Sequence, residues 1–179
     1  MKHINSTKPL LTLAFLTATA CSIHIFESLI MRLLPVPFIR LGLSNIIVMY
    51  LVLQKKTLDA IVVNITKSLV GGALTFTLLS PATLLSLTGG MAAVLAMWLA
   101  LRFNIGFSKF GISIIGALTH NITQLILIQK VILPGSGVFV LTPLLLLLGL
   151  ISGILTAWIL LLIETKYELI ETKKYENQT

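Results

Sequence analysis

The stretch ESLIMRLLPVPFIRLGLSNI, residues 27–46, decides how this chain folds. It carries one carboxylate, two arginines and a Pro-x-Pro break, and long apolar runs lie on both sides of it. Pro35 and Pro37 disfavour a continuous helix and favour an extended or turned path. The stretch therefore predicts a structured interruption between two membrane-embedded helices.

The composition outside this stretch is typical of a polytopic membrane protein. Of 179 residues, 56% are apolar and 11% are charged, and the mean hydropathy is +1.02. A soluble domain of this length needs far more charge to cover its surface. The net charge of +7 comes largely from short basic groups between apolar runs, which indicates membrane topology, so we expect no nucleic-acid partner.

Apolar runs recur along the whole chain, and a run of about 20 residues is long enough to cross about 30 Å of hydrocarbon. We predict an all-α fold, a bundle of six transmembrane helices that forms a single membrane domain over residues 1–179. The second span is short for a full crossing, and we expect it to be tilted or joined to a structured loop. The predicted spans cover about 10–31, 41–53, 58–79, 84–101, 111–133 and 138–163.

The distribution of basic residues predicts the orientation in a cell (inner, cytoplasmic) membrane. Six spans put both termini on one side, and cytoplasmic loops carry the excess of Lys and Arg. With both termini in the cytoplasm, only Arg32, Arg40 and Lys130 of the loop residues lie in or near outer loops. The stretch 27–46 then faces outward, where it meets an external solute.

Ionisable side chains inside the spans are candidate binding groups, because each costs on the order of 2.5–3.5 kcal/mol to insert. His24 and Glu27 share one face of the first span, which suits either local pairing or a ligand. Lys67 lies near the middle of the third span, within a polar stripe. A buried partner or an anionic ligand explains it better than snorkelling does.

The fifth span carries the richest polar cluster, formed by His120, Asn121 and Gln124. His120 and Gln124 are one helical turn apart, so they share a face of the helix. Hydrogen bonding between helices is the alternative role, since Asn and Gln often join membrane helices.

Several catalytic and metal-binding patterns are absent from the sequence. There is no Walker A motif, no HExxH and no CxxC, and Asp59 is the single aspartate. We therefore expect no enzymatic activity, no cofactor and no metal site.

Three motifs resemble those of a known family: GLSN at 42–45, SLTGG at 86–90 and GISIIGALTHNITQ at 111–124. They resemble the bacterial Gx transporter family, which is also labelled heptaprenyl diphosphate synthase component I. That family is similar to the S components of energy-coupling factor (ECF) transporters. The resemblance implies a six-helix protein that binds a nutrient from outside and works with a membrane coupling subunit and two ATPases. In S components an AxxxA face on the first helix contacts the coupling subunit, and Ala14 and Ala18 match that pattern.

The favoured interpretation is a substrate-binding subunit of an ECF-type, ATP-driven uptake transporter, which captures a small, anionic nutrient or an isoprenoid or quinone precursor from outside. Residues 35–40 would form its lid, and replacing Lys67 with Ala is expected to weaken binding without unfolding the protein. The candidate substrate-binding residues are Glu27, Arg40, Asn45, Lys67, His120, Asn121 and Gln124.

Two other interpretations stay open. One is a non-catalytic membrane accessory subunit of a heptaprenyl diphosphate synthase. Prenyl elongation itself needs aspartate-rich motifs that hold Mg²⁺ against a diphosphate, and a single aspartate cannot supply them. The other is a self-sufficient transporter, working as a pair of protomers or through a proton-coupled cycle at Glu27 and His120.

Overall fold

The computed structural model describes residues 4–31, 42–103, 106–135 and 137–176. Within these ranges the chain is all-α, as predicted, and contains no strand. A π-helical turn at Ile128–Ile132 continues the fifth helix, and a 3₁₀ turn at Val138–Leu141 precedes the sixth. The helices are α1 (Ile4–Met31), α2 (Asn45–Leu53), α3 (Thr57–Leu74), α4 (Pro81–Arg102), α5 (Lys109–Leu127) and α6 (Thr142–Glu176).

Local sequence signals explain where several helices begin. Pro81 occupies the first turn of α4, where its missing N–H costs nothing, and the preceding Ser80 is extended. The Ser108 side chain caps α5 by accepting a hydrogen bond from the backbone N–H of Gly111 at 3.2 Å.

In the described part of the chain, five helical segments are long and apolar enough to cross a membrane, and they confirm a multi-pass protein. The second predicted span differs, because its helix has nine residues and is roughly 14 Å long. Two other boundaries differ from the prediction. Helix α3 ends at Leu74 instead of about residue 79, and α6 continues to Glu176 instead of ending at about residue 163. The five segments are Lys8–Ile30, Thr57–Leu74, Pro81–Arg102, Lys109–Ile132 and Val138–Ile170.

The long helices pack as a series of neighbours, with α1 against α3, α3 against α4, α4 against α5, and α5 against α6. The short α2 contacts α1, α3, α4 and α6, so it lies at the centre. Six of its nine residues are buried, which explains why it is apolar on every side.

Contacts between side chains give the helix directions. His24 lies against Gly71, near the ends of α1 and α3, so these two helices run parallel. Each later pair is antiparallel; for example, Lys109 at the start of α5 pairs with Glu164 far along α6. As a result α1 begins and α6 ends at the same end of the bundle. We call this the terminal end, and the other the far end.

The interior of the bundle divides along its axis. Towards the terminal end, α2 and its neighbours form an apolar core, which contains Val63, Val94, Ile112 and Leu160 besides α2 itself. Towards the far end, most of the buried side chains are polar, although Leu85, Leu125 and Ile128 are buried there as well. The polar side chains include His24, Glu27, Thr75, Thr83, Ser86 and Gln124. The candidate site lies where these two halves meet.

Candidate functional site

A tight turn leads into α2 at the boundary between the two halves. Gly42 has a φ of +71°, which favours glycine, and its carbonyl accepts a hydrogen bond from the backbone N–H of Asn45 at 2.8 Å. A Cβ built at Gly42 would lie 3.0 Å from Asn45 Nδ2. The GLSN motif is therefore the sequence of this turn, which brings Asn45 back over Gly42.

Glu27 of α1 binds this turn. Its side chain is 4% exposed, and Oε1 accepts a hydrogen bond from the backbone N–H of Gly42. A buried carboxylate is stabilised by such a backbone donor. The structure thus gives Glu27 a contact with the start of α2.

Lys67 of α3 also binds this turn. Its side chain is 2% exposed, and Nζ donates to Ser44 Oγ at 3.1 Å and to Asn45 Oδ1 at 2.5 Å. A buried ammonium needs such oxygens because its desolvation is costly. The sequence predicts either a buried partner or an anionic ligand for Lys67, and Ser44 Oγ and Asn45 Oδ1 are buried partners of this kind.

His120 and Gln124 of α5 face α4. Gln124 Nε2 lies 2.9 Å from His120 Nε2 and 3.4 Å from the carbonyl oxygen of Leu85. An amide nitrogen is only a donor, so His120 Nε2 accepts in this contact. A Cβ built at Gly89 would lie 3.0 Å from His120 Nδ1, so the imidazole rests against the bare backbone of this glycine.

Asn121 faces α6 instead. Its Nδ2 donates to the carbonyl oxygen of Leu145 at 2.8 Å, and a Cβ built at Gly149 would lie 3.0 Å from Nδ2. This contact is the hydrogen bonding between helices that the sequence offers as the alternative role of the cluster. Both His120 and Asn121 also line a cavity, so a role in helix packing and a role in binding are compatible.

The cavity lies between α2 and the helices α4, α5 and α6. Its volume is about 20 Å³, which is room for about one water molecule. Among the described residues, the lining includes Asn45 but neither Glu27, Lys67 nor Gln124. Its polar wall is formed by Asn45, Ser113, His120, Asn121, Ser152 and Thr156.

The hydroxyl groups of this wall were not predicted. Ser113, Ser152 and Thr156 are each less than 9% exposed, but single hydroxyls in apolar helices carry little sequence signal. The one available signal is spacing, since Ser152 and Thr156 are one turn apart and share a helix face.

A second polar contact joins α3 to α4 beside the site. Ser68 Oγ lies 3.2 Å from Ser86 Oγ, and Asn64 Nδ2 donates to the carbonyl oxygen of Leu87 at 3.3 Å. Asn64 Oδ1 is buried against Gly90 and has no hydrogen-bond partner among the described residues. The SLTGG motif is thus a packing surface of α4, which receives polar side chains from α3 and α5.

Ala14 and Ala18, the predicted partner-binding residues, lie on the outer surface of the bundle. Both are exposed, and both line an open groove of about 590 Å³ between α1 and α3. The groove wall is mainly apolar and includes Leu13, Val70 and Leu74. This position leaves the AxxxA face accessible to lipid or to another protein.

Two predictions fall outside the described residues, namely the binding role of Arg40 and the lid at residues 35–40. Within the described ranges, no group of three or more His, Cys, Asp or Glu side chains could hold a metal ion.

The fold and the site together define a class: an all-α, multi-pass membrane protein whose polar interior lies in the far half of the bundle. The chain belongs to the family described as heptaprenyl diphosphate synthase component I, whose family model matches residues 16–163. The resemblance to this family, also called the Gx transporter family, is therefore confirmed. The chain has no significant match among curated proteins or among solved structures.

Proposed function

We propose that this chain is the substrate-binding membrane subunit of an ATP-driven uptake transporter of the ECF type. The observation that carries the proposal is the division of the interior into a polar far half and an apolar terminal half. A solute that enters from the far end meets polar groups, and α2 then blocks its way to the terminal end. A binding subunit must hold its solute without letting it cross the membrane, because the other subunits of the transporter supply the energy for transport.

The chemistry of the polar half indicates the kind of solute. Lys67 supplies a buried cation, and His120 and Asn121 supply groups that hydrogen-bond in the cavity wall. A small anionic nutrient, or an isoprenoid precursor that carries a diphosphate, suits this set. The protein itself would do no chemistry.

The distribution of charge supports an orientation with the terminal end in the cytoplasm. Lys8, Lys55, Lys56, Arg102 and Lys109 all lie at or near the terminal end. Cytoplasmic loops carry such an excess of basic residues. The polar far half then opens towards the outside of the cell membrane.

Partner subunits complete the proposal. The exposed Ala14 and Ala18 leave room for another helix to approach α1 closely, as small residues at this spacing do between membrane helices. A membrane coupling subunit would bind here and carry two ATPases.

The family description favours a second candidate, a non-catalytic membrane subunit of a heptaprenyl diphosphate synthase. In that case the chain would hold the synthase, or its isoprenoid product, at the bilayer.

Native mass spectrometry of the full chain, purified gently from its host membrane, tests both candidates. We expect a bound small molecule together with a coupling subunit and ATPases. A complex with a soluble, aspartate-rich synthase and without ATPases would overturn the transporter proposal and support the second candidate.

A further inference from the structure

The cavity is too small for any organic solute, so binding requires one of its walls to move. About 20 Å³ holds roughly one water molecule. Among the described residues, the walls of the cavity come from α4, α5 and α6 and from the start of α2. Which wall moves depends on how each one is held.

The walls from α4, α5 and α6 are held by close packing along the helices. A Cβ at Gly116 would lie 2.9 Å from Met97 Sδ, and a Cβ at Gly153 would lie 2.8 Å from the backbone of Ile114. The backbones of α5 and α6 are therefore in close contact at Gly153, and the Met97 side chain fills the space beside Gly116, which leaves no free volume for a sideways shift.

The wall from α2 is held differently. The turn at Gly42–Asn45 is bound from outside the cavity by two charged side chains, the Glu27 carboxylate and the Lys67 ammonium. Both bind polar atoms of the turn, and a ligand that carries oxygen atoms can replace such contacts, whereas an interlocked backbone offers no such exchange. We call these two side chains the clamp.

We propose that Glu27 and Lys67 are positioning residues that hold the first turn of α2 closed over the cavity, and that a solute enters when this clamp is released. The proposal rests on the proposed solute site and adds how access to it is controlled. An anion is well suited to release the clamp, because its oxygens can replace Asn45 Oδ1 and Ser44 Oγ on Lys67 Nζ. The same cation then both opens the site and selects an anionic solute.

The test measures access to the cavity without any ligand. In the full-length protein with Cys21→Ser, a reporter cysteine is placed in the wall as Ser113→Cys, and its rate of reaction with N-ethylmaleimide is followed. Glu27→Gln and Lys67→Met each remove one charge of the clamp. Because hydrogen bonds to charged groups are each worth about 1.5–3 kcal/mol, we expect the rate to rise by about tenfold or more in Lys67→Met.

A second reporter separates release of the clamp from general loosening of the fold. Ser86→Cys lies buried between α3 and α4, outside the cavity lining. Faster labelling at position 113 with an unchanged rate at position 86 supports the clamp. Equal acceleration at both positions, or no acceleration at 113, would overturn it. Failure to find a bound solute by mass spectrometry would instead count against the proposed function, so the two failures are distinguishable.

Discussion

Each of the four interfaces between neighbouring long helices contains a buried polar side chain that lies against a glycine of the other helix. His24 meets Gly71, Asn64 meets Gly90, His120 meets Gly89, and Asn121 meets Gly149. A glycine lets a polar side chain lie against bare backbone, where peptide groups are within reach. The polar residues could be found in the sequence, but their glycine partners could not, because each pair joins residues far apart in the chain.

Gly90→Ala tests this packing. A Cβ at this position would overlap Asn64 Oδ1, so we expect a loss of about 1–3 kcal/mol of stability from overpacking. Thermal unfolding of the purified protein in detergent measures the effect. Gly111→Ala is the matched control, since its Cβ would lie 3.2 Å from the side chain of Phe107, which is exposed and can turn away.

A second substitution identifies the cause. Adding Asn64→Ala to Gly90→Ala removes the side chain that the new methyl group meets. We expect part of the lost stability to return, which would be a favourable coupling between the two sites. Strictly additive losses would show that Asn64 and Gly90 do not share the contact.

Among the elements, α2 is the least like a membrane span and the most buried. Val48, Met49, Leu51 and Val52 are each at most 2% exposed. The sequence predicted that this segment is short for a crossing. It could not predict that the segment is central, because an apolar helix that faces lipid and one that faces protein have the same composition.

Leu51→Ala measures how much the core around α2 contributes. Truncating a buried leucine usually costs about 2–5 kcal/mol, and we expect a loss in that range. Leu58→Ala is the matched control on α3, because Leu58 is 78% exposed and its truncation should leave the unfolding temperature nearly unchanged. Similar losses in both variants would mean that α2 is not the core that the structure shows.

On the scale of the whole molecule, the directions of the helices place the start of α1 and the end of α6 at one end of the bundle. Six spans predict ends on the same side of the membrane, although α2 does not cross it as a helix. The helix content and the approximate positions of five spans were predictable, since long apolar runs have a strong signal. The cavity was not, because it depends on contacts between four helices.

The orientation in the membrane can be tested by labelling with an impermeant thiol reagent in a Cys21→Ser background. Gln54 and Pro134 lie in exposed turns at opposite ends of the bundle. If the basic terminal end is cytoplasmic, Pro134→Cys should react in intact cells, and Gln54→Cys only after the cells are made permeable. The reverse pattern would contradict the proposed orientation.

The ion pair between Lys109 and Glu164 joins α5 to α6 at the terminal end, with an N–O distance of 2.5 Å. Both side chains are partly exposed, at 43% and 27%, so water screens their attraction. We expect Lys109→Ala to cost at most about 1 kcal/mol of stability in thermal unfolding. A larger loss would show that the pair contributes more than a surface contact.

The central position of α2 has a consequence for how the protein is made. At roughly 14 Å, α2 is too short for the translocon to release into the bilayer as a span of its own. Its neighbours include α6, which follows the other five helices in the chain. The nascent chain therefore holds α2 in an incomplete environment until α6 has been synthesised. A chain truncated before α6 would leave α2 without one of its packing partners, and we expect membrane quality control to recognise it.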